Sequence, residues 1–164
     1  MKKYLILFVA TLWLVGCSAP QGQSEENKSL IEAYVAAVAN MDAAAMEQYL
    51  ADDYVGYGPS VGNETNKEQA ILSWKENVAS LYQKIDYNES QILTVTVDNG
   101  PNAGEWVSHW ANLDISYQSG EKVTIMANSI YLVKEGKIAK SYTFYNEADA
   151  LSQLGYVFIN PDNI

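Results

Sequence analysis

The chain contains no arginine: all ten basic residues are lysines, set against twenty acidic ones, for a formal net charge of −10. Without a guanidinium there is no planar two-pronged donor for phosphate or carboxylate, and the acidic excess repels a polyanion. Nucleic acid is therefore excluded as a partner. Histidine and cysteine are equally scarce, with one of each, His109 and Cys17. A single thiol forms no intramolecular disulfide. One imidazole, one thiol and no carboxylates clustered at ligand spacing supply no metal set, and nothing implies a cofactor. Neither a glycine-rich phosphate loop nor a nucleophile elbow is present.

What is present begins at the N-terminus. Lys2 and Lys3 precede an apolar run from Tyr4 to Val15, of signal-peptide size and shorter than the roughly 20 residues of a spanning helix. The run ends in "LVGC", which looks like a bacterial lipobox, whose cysteine is acylated and becomes the new N-terminus. On this reading residues 1–16 are a lipoprotein signal peptide and Cys17 is lipidated, so the chain is anchored to a membrane rather than spanning it. Ser18, where lipoproteins retained in the inner membrane often carry Asp, implies by the same resemblance the outer membrane of a bacterial cell envelope. Removing Lys2 and Lys3 with the signal takes the formal charge to −12, which favours solubility. Residues 17–28, the cysteine and a polar stretch without hydrophobic periodicity, read as a flexible tether. Residues 29–164 have the length of one domain.

Three helices are expected first. Ser29 with Glu32 suits a capping box for a helix running to about Asn40, with Leu30, Ile31, Tyr34, Val35 and Val38 on one face. Asp42 is placed to cap a short helix through Leu50. "ADDYVGYGPSVGNET" breaks the helical pattern with three glycines and a proline and reads as a loop. Asn66 with Gln69 is another capping pair, followed by Ile71, Trp74, Val78, Leu81 and Tyr82 at helical spacing. The pattern then changes to strands over residues 84–97, 105–117, 122–134 and 138–146, the last two joined by a hairpin at Glu135-Gly136. The tail holds Leu151, Leu154, Tyr156, Val157, Phe158 and Ile159, suited to covering an edge or extending a subunit contact. Helices followed by a strand meander predict an α+β domain, helices on one face of a curved antiparallel sheet.

Two stretches, "YVAAVANMDAAAMEQYLADDYVGYGP" and "VKEGKIAKSYTFYN", resemble the nuclear-transport-factor-2-like superfamily and, within it, the SnoaL-like branch of polyketide cyclases. The first is similar to that family's helix, short second helix and exit into a pocket loop; the second to its terminal hairpin. The resemblance implies a cone, in which a bent sheet wraps the long helix around an open-ended cavity, and a homodimer formed through the sheet. It also implies acid/base groups: an Asp a few residues before the hairpin, and a His and an Asp around a Trp on the last strand. Laid over that pattern, this chain has Ser129 at the first position and Ser141, Tyr142 and Thr143 at the others. Hydroxyls of serine and threonine do not titrate near neutrality and cannot act as the general base.

Other groups are candidates for that role. On the second strand, Trp106, Ser108, Trp110, Asn112 and Asp114 share one face and Val107, His109, Ala111, Leu113 and Ile115 the other. His109 and Asp114 therefore cannot form a pair, and His109, on the more apolar side, reads as a packed histidine. Asp114 reads as solvated or lysine-paired, and Asp53 as a turn or capping acid. The aromatic and amide residues instead suggest a lined pocket, with Tyr34, Tyr54, Tyr57, Trp74, Trp110, Asn112, Ser129, Tyr131 and Tyr142 as its candidate residues. The expected function is binding of a small, mostly apolar, uncharged ligand without catalysis. Two alternatives stand beside it. One is a SnoaL-type isomerase, cyclase or hydratase using a displaced acid such as Asp53 or Asp114, or His109. The other is a dimeric protein-interaction module with a filled cone.

Overall fold

The computed structural model describes residues 21–160. The signal segment and Cys17 lie outside the described residues, so the expected lipid anchor has no structural counterpart here. The elements run α1 (Gln21–Ala39), α2 (Ala43–Tyr49), β1 (Leu50–Tyr57), β2 (Glu64–Asn66), α3 (Lys67–Ser80), β3 (Tyr82–Val97), β4 (Gly104–Tyr117), β5 (Lys122–Lys134), β6 (Lys137–Tyr145) and α4 (Glu147–Gln153). Among the described residues no helix is long and apolar enough to cross a membrane.

The three expected helices form for the expected reasons, with one change of boundary. Asp42 accepts from the Ala45 amide at 2.9 Å and caps α2. Asn66 and Gln69 complete a reciprocal capping box on α3. Helix α1, however, starts at Gln21 rather than Ser29, so residues 21–28 are helix and not tether, and the Ser29–Glu32 pair lies inside it. The early turns are held by docking on the sheet: Asn27 is buried, and the Ser24 hydroxyl meets that of Thr94 at 2.5 Å.

The sheet has six strands in the order β2-β1-β6-β5-β4-β3. Strands β3 to β6 form the anticipated antiparallel meander. At the tightest turn Glu135 and Gly136 both take positive φ, 51° and 70°, the backbone shape that matches the twist of a two-residue hairpin. The segment expected as a pocket loop instead supplies two strands. Residues 50–57 form β1, which runs parallel to β6 and pairs antiparallel with the short β2. Leu50, Tyr54 and Gly56 are its buried positions, and their burial outweighs the turn-forming residues around them.

One face of the sheet packs on the helices. Ile31, Val35, Val38, Met46 and Ile71 of the helices meet Leu50, Tyr54, Val107, Tyr131, Val133 and Ile138 of the strands in a single core. A second cluster, Ile85, Ile115, Val123 and Ile125, fills the far end with Leu154 of the tail beside it. The remainder of the tail does not cover an edge: Tyr156, Val157, Phe158 and Ile159 are all exposed.

Candidate functional site

Strand alternation divides the chemistry of β4, β5 and β6 between two faces. Val107, His109 and Ala111 are on the helix side and pair in register with Tyr131, Ser129 and Ala127 of β5. These in turn pair with Ser141, Thr143 and Tyr145 of β6. Between this face and the helices lies a cleft of about 250 Å³, whose walls include Tyr34, Met46, Trp74, Asn77, Tyr87 and Tyr131.

The polar groups of this interior are mostly hydroxyls bonded to each other. Tyr54 Oη and Ser141 Oγ are 2.7 Å apart, and Ser129 Oγ and Thr143 Oγ1 are 3.0 Å apart. A Cβ on Gly56 would collide with the Tyr54 hydroxyl, so glycine there leaves the space that ring occupies. Tyr34 packs edge-on against Tyr131, ring centroids 5.7 Å apart. Burial pushes the phenols of Tyr34 and Tyr131 well above their ordinary value, reinforced in each by neighbouring tyrosines. Burial likewise pushes Tyr87 up to about 12. All are neutral donors at physiological pH. The indole Nε1 of Trp74 is buried and has no hydrogen-bond partner.

His109 is 3 % exposed and lies on this same face, as its apolar neighbours suggested. Its Nε2 is 2.6 Å from Ser90 Oγ, and the Tyr87 ring is tilted against it at 5.5 Å. Burial lowers its pKa from 6.5, so the imidazole is neutral at pH 7. No Asp or Glu among the described residues is buried. Asp114 is exposed on the opposite face and accepts from Asn88 Nδ2 at 2.8 Å and Thr124 Oγ1 at 2.6 Å, not from a lysine. Asp53 lies exposed on β1, not in a turn or at a helix cap, beside the Asp52–Lys67 ion pair of 2.9 Å. It lines an open surface groove of about 740 Å³ bearing both signs of charge. That groove is larger than the cleft, but it is lined by charged surface side chains, whereas tyrosine, tryptophan and aliphatic side chains line the cleft. No three His, Cys, Asp or Glu among the described residues are grouped to hold a metal ion.

The nine candidate pocket residues divide five to four. Tyr34, Trp74 and Tyr131 line the cleft, and Tyr54 and Ser129 share its face. The other four are turned away. Tyr57 and Tyr142 stack on the outer face of the sheet, centroids 4.6 Å apart. Trp110 is 41 % exposed there, and Asn112 donates to Glu89 Oε2 at 2.7 Å. The correction has a simple cause. Trp110 and Asn112 are even-numbered on a strand whose odd positions face the helices, and Tyr142 sits between the inward Ser141 and Thr143. Together with Met126, Asn128 and Phe144, Trp110 and Asn112 line an open groove of about 700 Å³. The lining residues not anticipated are Val38, Met46, Ala70, Ser73, Asn77 and Tyr87. Tyr87 was discoverable, two positions from the buried Ile85 on one strand.

Residues 31–141 match the SnoaL-like domain family. The chain belongs to that family. No curated protein matches it significantly. Among solved structures, chains of the same fold recur. One from Xanthomonas campestris, assigned as a polyketide cyclase, has a TM-score of 0.66 at 16 % identity, covering 80 % of this chain and 98 % of its own. A Mycobacterium tuberculosis epoxide hydrolase of the LEH-like kind has a TM-score of 0.59 at 14 % identity, covering 80 % and 91 %. A protein of ketosteroid isomerase-like fold from Catenulispora acidiphila, in complex with trimethylamine, has a TM-score of 0.60 at 14 % identity, covering 78 % and 93 %. At such identities the likeness is one of fold, the nuclear-transport-factor-2-like cone anticipated from the hairpin and helix motifs.

The depressed pKa of His109 carries a sign for stability. The unfolded chain binds this proton near pH 6.5 and the folded chain only at lower pH, so this contribution is complete above about 6.5. It is lost as pH falls through the folded value. Urea unfolding across mildly acidic pH is expected to show that loss in the wild-type chain. The His109→Gln variant should show a smaller loss over the same range.

Proposed function

We propose that the interior cleft binds a small, uncharged, mostly apolar ligand and does not turn it over. One observation carries the reading: a buried indole N–H without a partner, on Trp74, in a wall of neutral tyrosines that holds no carboxylate. An unmet buried donor is costly, and a ligand carbonyl or hydroxyl oxygen would meet it. At ~30 Å³ per water, the cleft has space for about eight waters, which suits a ligand of roughly one ring. The absence of a buried acid counts against the isomerase or cyclase alternative with Asp53 or Asp114, since both are exposed outside the cleft. The imidazole of His109 is engaged by Ser90 and covered by Tyr87.

A series of matched ring compounds tests this by thermal shift. Cyclic ketones are expected to stabilise the wild-type chain more than hydrocarbons of the same shape. Trp74→Phe should weaken ketone binding about fivefold, as loss of one neutral hydrogen bond of about 1 kcal/mol requires, and leave hydrocarbon binding unchanged. Equal losses for both series would count against the Trp74 N–H as the recognition point.

The homodimer belongs to the same reading. Trp110, Met126 and Phe144 are 41 %, 81 % and 51 % exposed on the outer sheet face, an apolar patch of the kind that marks an interface. The wild-type domain is expected to run as a dimer in light scattering, and Met126→Lys as a monomer with unchanged circular dichroism.

The envelope anchor at Cys17 rests on "LVGC" in the sequence. Expressed in a bacterium fed a labelled fatty acid, the wild-type chain should take up label and partition with membranes. Cys17→Ser should do neither.

A further inference from the structure

His109 is the only imidazole in the chain, and its one recorded side-chain bond is to a serine at the sheet edge. The other serine contacts among the described residues are different in kind. Ser24, Ser129 and Ser141 meet other hydroxyls, Ser80 a backbone carbonyl and Ser108 an amide oxygen. None of those partners accepts a proton near neutrality. Ser119 bonds the carboxylate of Glu121, a base too weak to activate a hydroxyl near neutrality, whereas Ser90 faces an imidazole, at 2.6 Å.

The backbone around Ser90 is unusual as well. β3 pairs with β4 through Asn88↔Asn112 and resumes at Gln91↔Trp110, so Glu89 and Ser90 together oppose Ala111. Glu89 adopts φ of +51°, a left-handed conformation uncommon outside glycine. The bulge is pinned from the outer face, where Asn112 Nδ2 donates to Glu89 Oε2 at 2.7 Å. Its effect is to leave Ser90 exposed to solvent while its Oγ reaches a histidine that is 3 % exposed. β3 is the last strand of the sheet, so no neighbouring strand covers this point. Neither residue lines the interior cleft.

An accessible hydroxyl and a buried neutral base within hydrogen-bond reach are the two central parts of an activated nucleophile, here presented by a strained backbone, with the imidazole held by packing against the Tyr87 ring. We propose that Ser90 and His109 form a nucleophile–base pair that takes acyl groups from activated esters. Ser90 Oγ forms a bond to the acyl carbon as its proton passes to His109 Nε2. The tetrahedral intermediate then expels the alcohol or phenol, which takes that proton from Nε2, leaving the acyl group on Ser90. Water attacking the acyl-serine, with His109 again accepting and returning the proton, releases the acid and restores the hydroxyl. The inference does not depend on the cleft's ligand, because the two sites share no lining residue.

The experiment uses the whole chain and p-nitrophenyl acetate, followed by nitrophenolate release and peptide mass analysis. One acetyl group on the Ser90 peptide is expected, ahead of any labelling on lysines. Ser90→Ala, an exposed position where folding is retained, should lose that label. His109→Gln should slow Ser90 acetylation about a hundredfold, the lower end of what a positioned base contributes. If that variant proves unfolded by circular dichroism, the comparison becomes the wild-type chain folded against unfolded in urea, with labelling of Ser90 expected only when folded. Acetylation of lysines with none at Ser90 would overturn the proposal. So would a Ser90 rate unaffected by His109→Gln or by unfolding.

Discussion

The register across β4, β5 and β6 sets two rows of side chains, Val107–Tyr131–Ser141 and His109–Ser129–Thr143, on the face toward the helices. Everything in the interior depends on that phase. A slip of one residue would exchange these rows for Trp106, Ser108, Trp110, Asn128, Tyr142 and Phe144, and turn the whole apolar set to solvent. The helices resist such a slip because Ile31, Val35 and Val38 pack on the correct row and have no equivalent surface on the other. Ile138, Val107 and Ile31 are fully buried at this junction, each worth roughly 1.5–3 kcal/mol of transfer free energy.

Where the sequence carried a strong local signal, it was legible. The Glu135-Gly136 hairpin, the capping pairs at Asp42 and Asn66 and the ends of β5 follow directly from turn and cap chemistry. Opposite facing of His109 and Asp114 follows from period two alone. The nine-residue pocket was not legible as a unit, because alternation says which residues share a face but not which face meets the helices. Choosing aromatic and amide residues without fixing the phase mixed Trp110 and Asn112 with Tyr131. β1 was hidden because Gly56, Gly58 and Pro59 resemble loop chemistry, and its pairing partner β6 lies more than 80 residues on. The first turns of α1 were hidden for a similar reason: Ser24 and Asn27 are polar, and the hydroxyl of Ser24 bonds that of Thr94 on a distant strand.

The interior that results is polar without being ionic. Buried hydroxyls are tolerated when they satisfy one another, and here they do so in pairs across strands. Phenols raised by burial stay protonated, and an imidazole lowered by burial stays neutral. Such a lining keeps its hydrogen-bonding pattern constant across the ordinary pH range. A carboxylate at Ser129 or Thr143, where SnoaL-like enzymes are expected to carry one, would bring desolvation costs that a wall of neutral donors offsets only in part.

β3 is sixteen residues long and terminates the sheet, leaving a row of amides and carbonyls open to lateral growth by another chain. Long unpaired edges of this kind nucleate intermolecular ladders. The irregularity at Glu89 and Ser90 interrupts that row near its middle and increases the local twist. Lys84 and Asp86, themselves paired at 2.8 Å, add charge on one side of the break. No straight template as long as the strand remains, so the kink that presents a hydroxyl also guards the monomer's edge against fibril-like stacking.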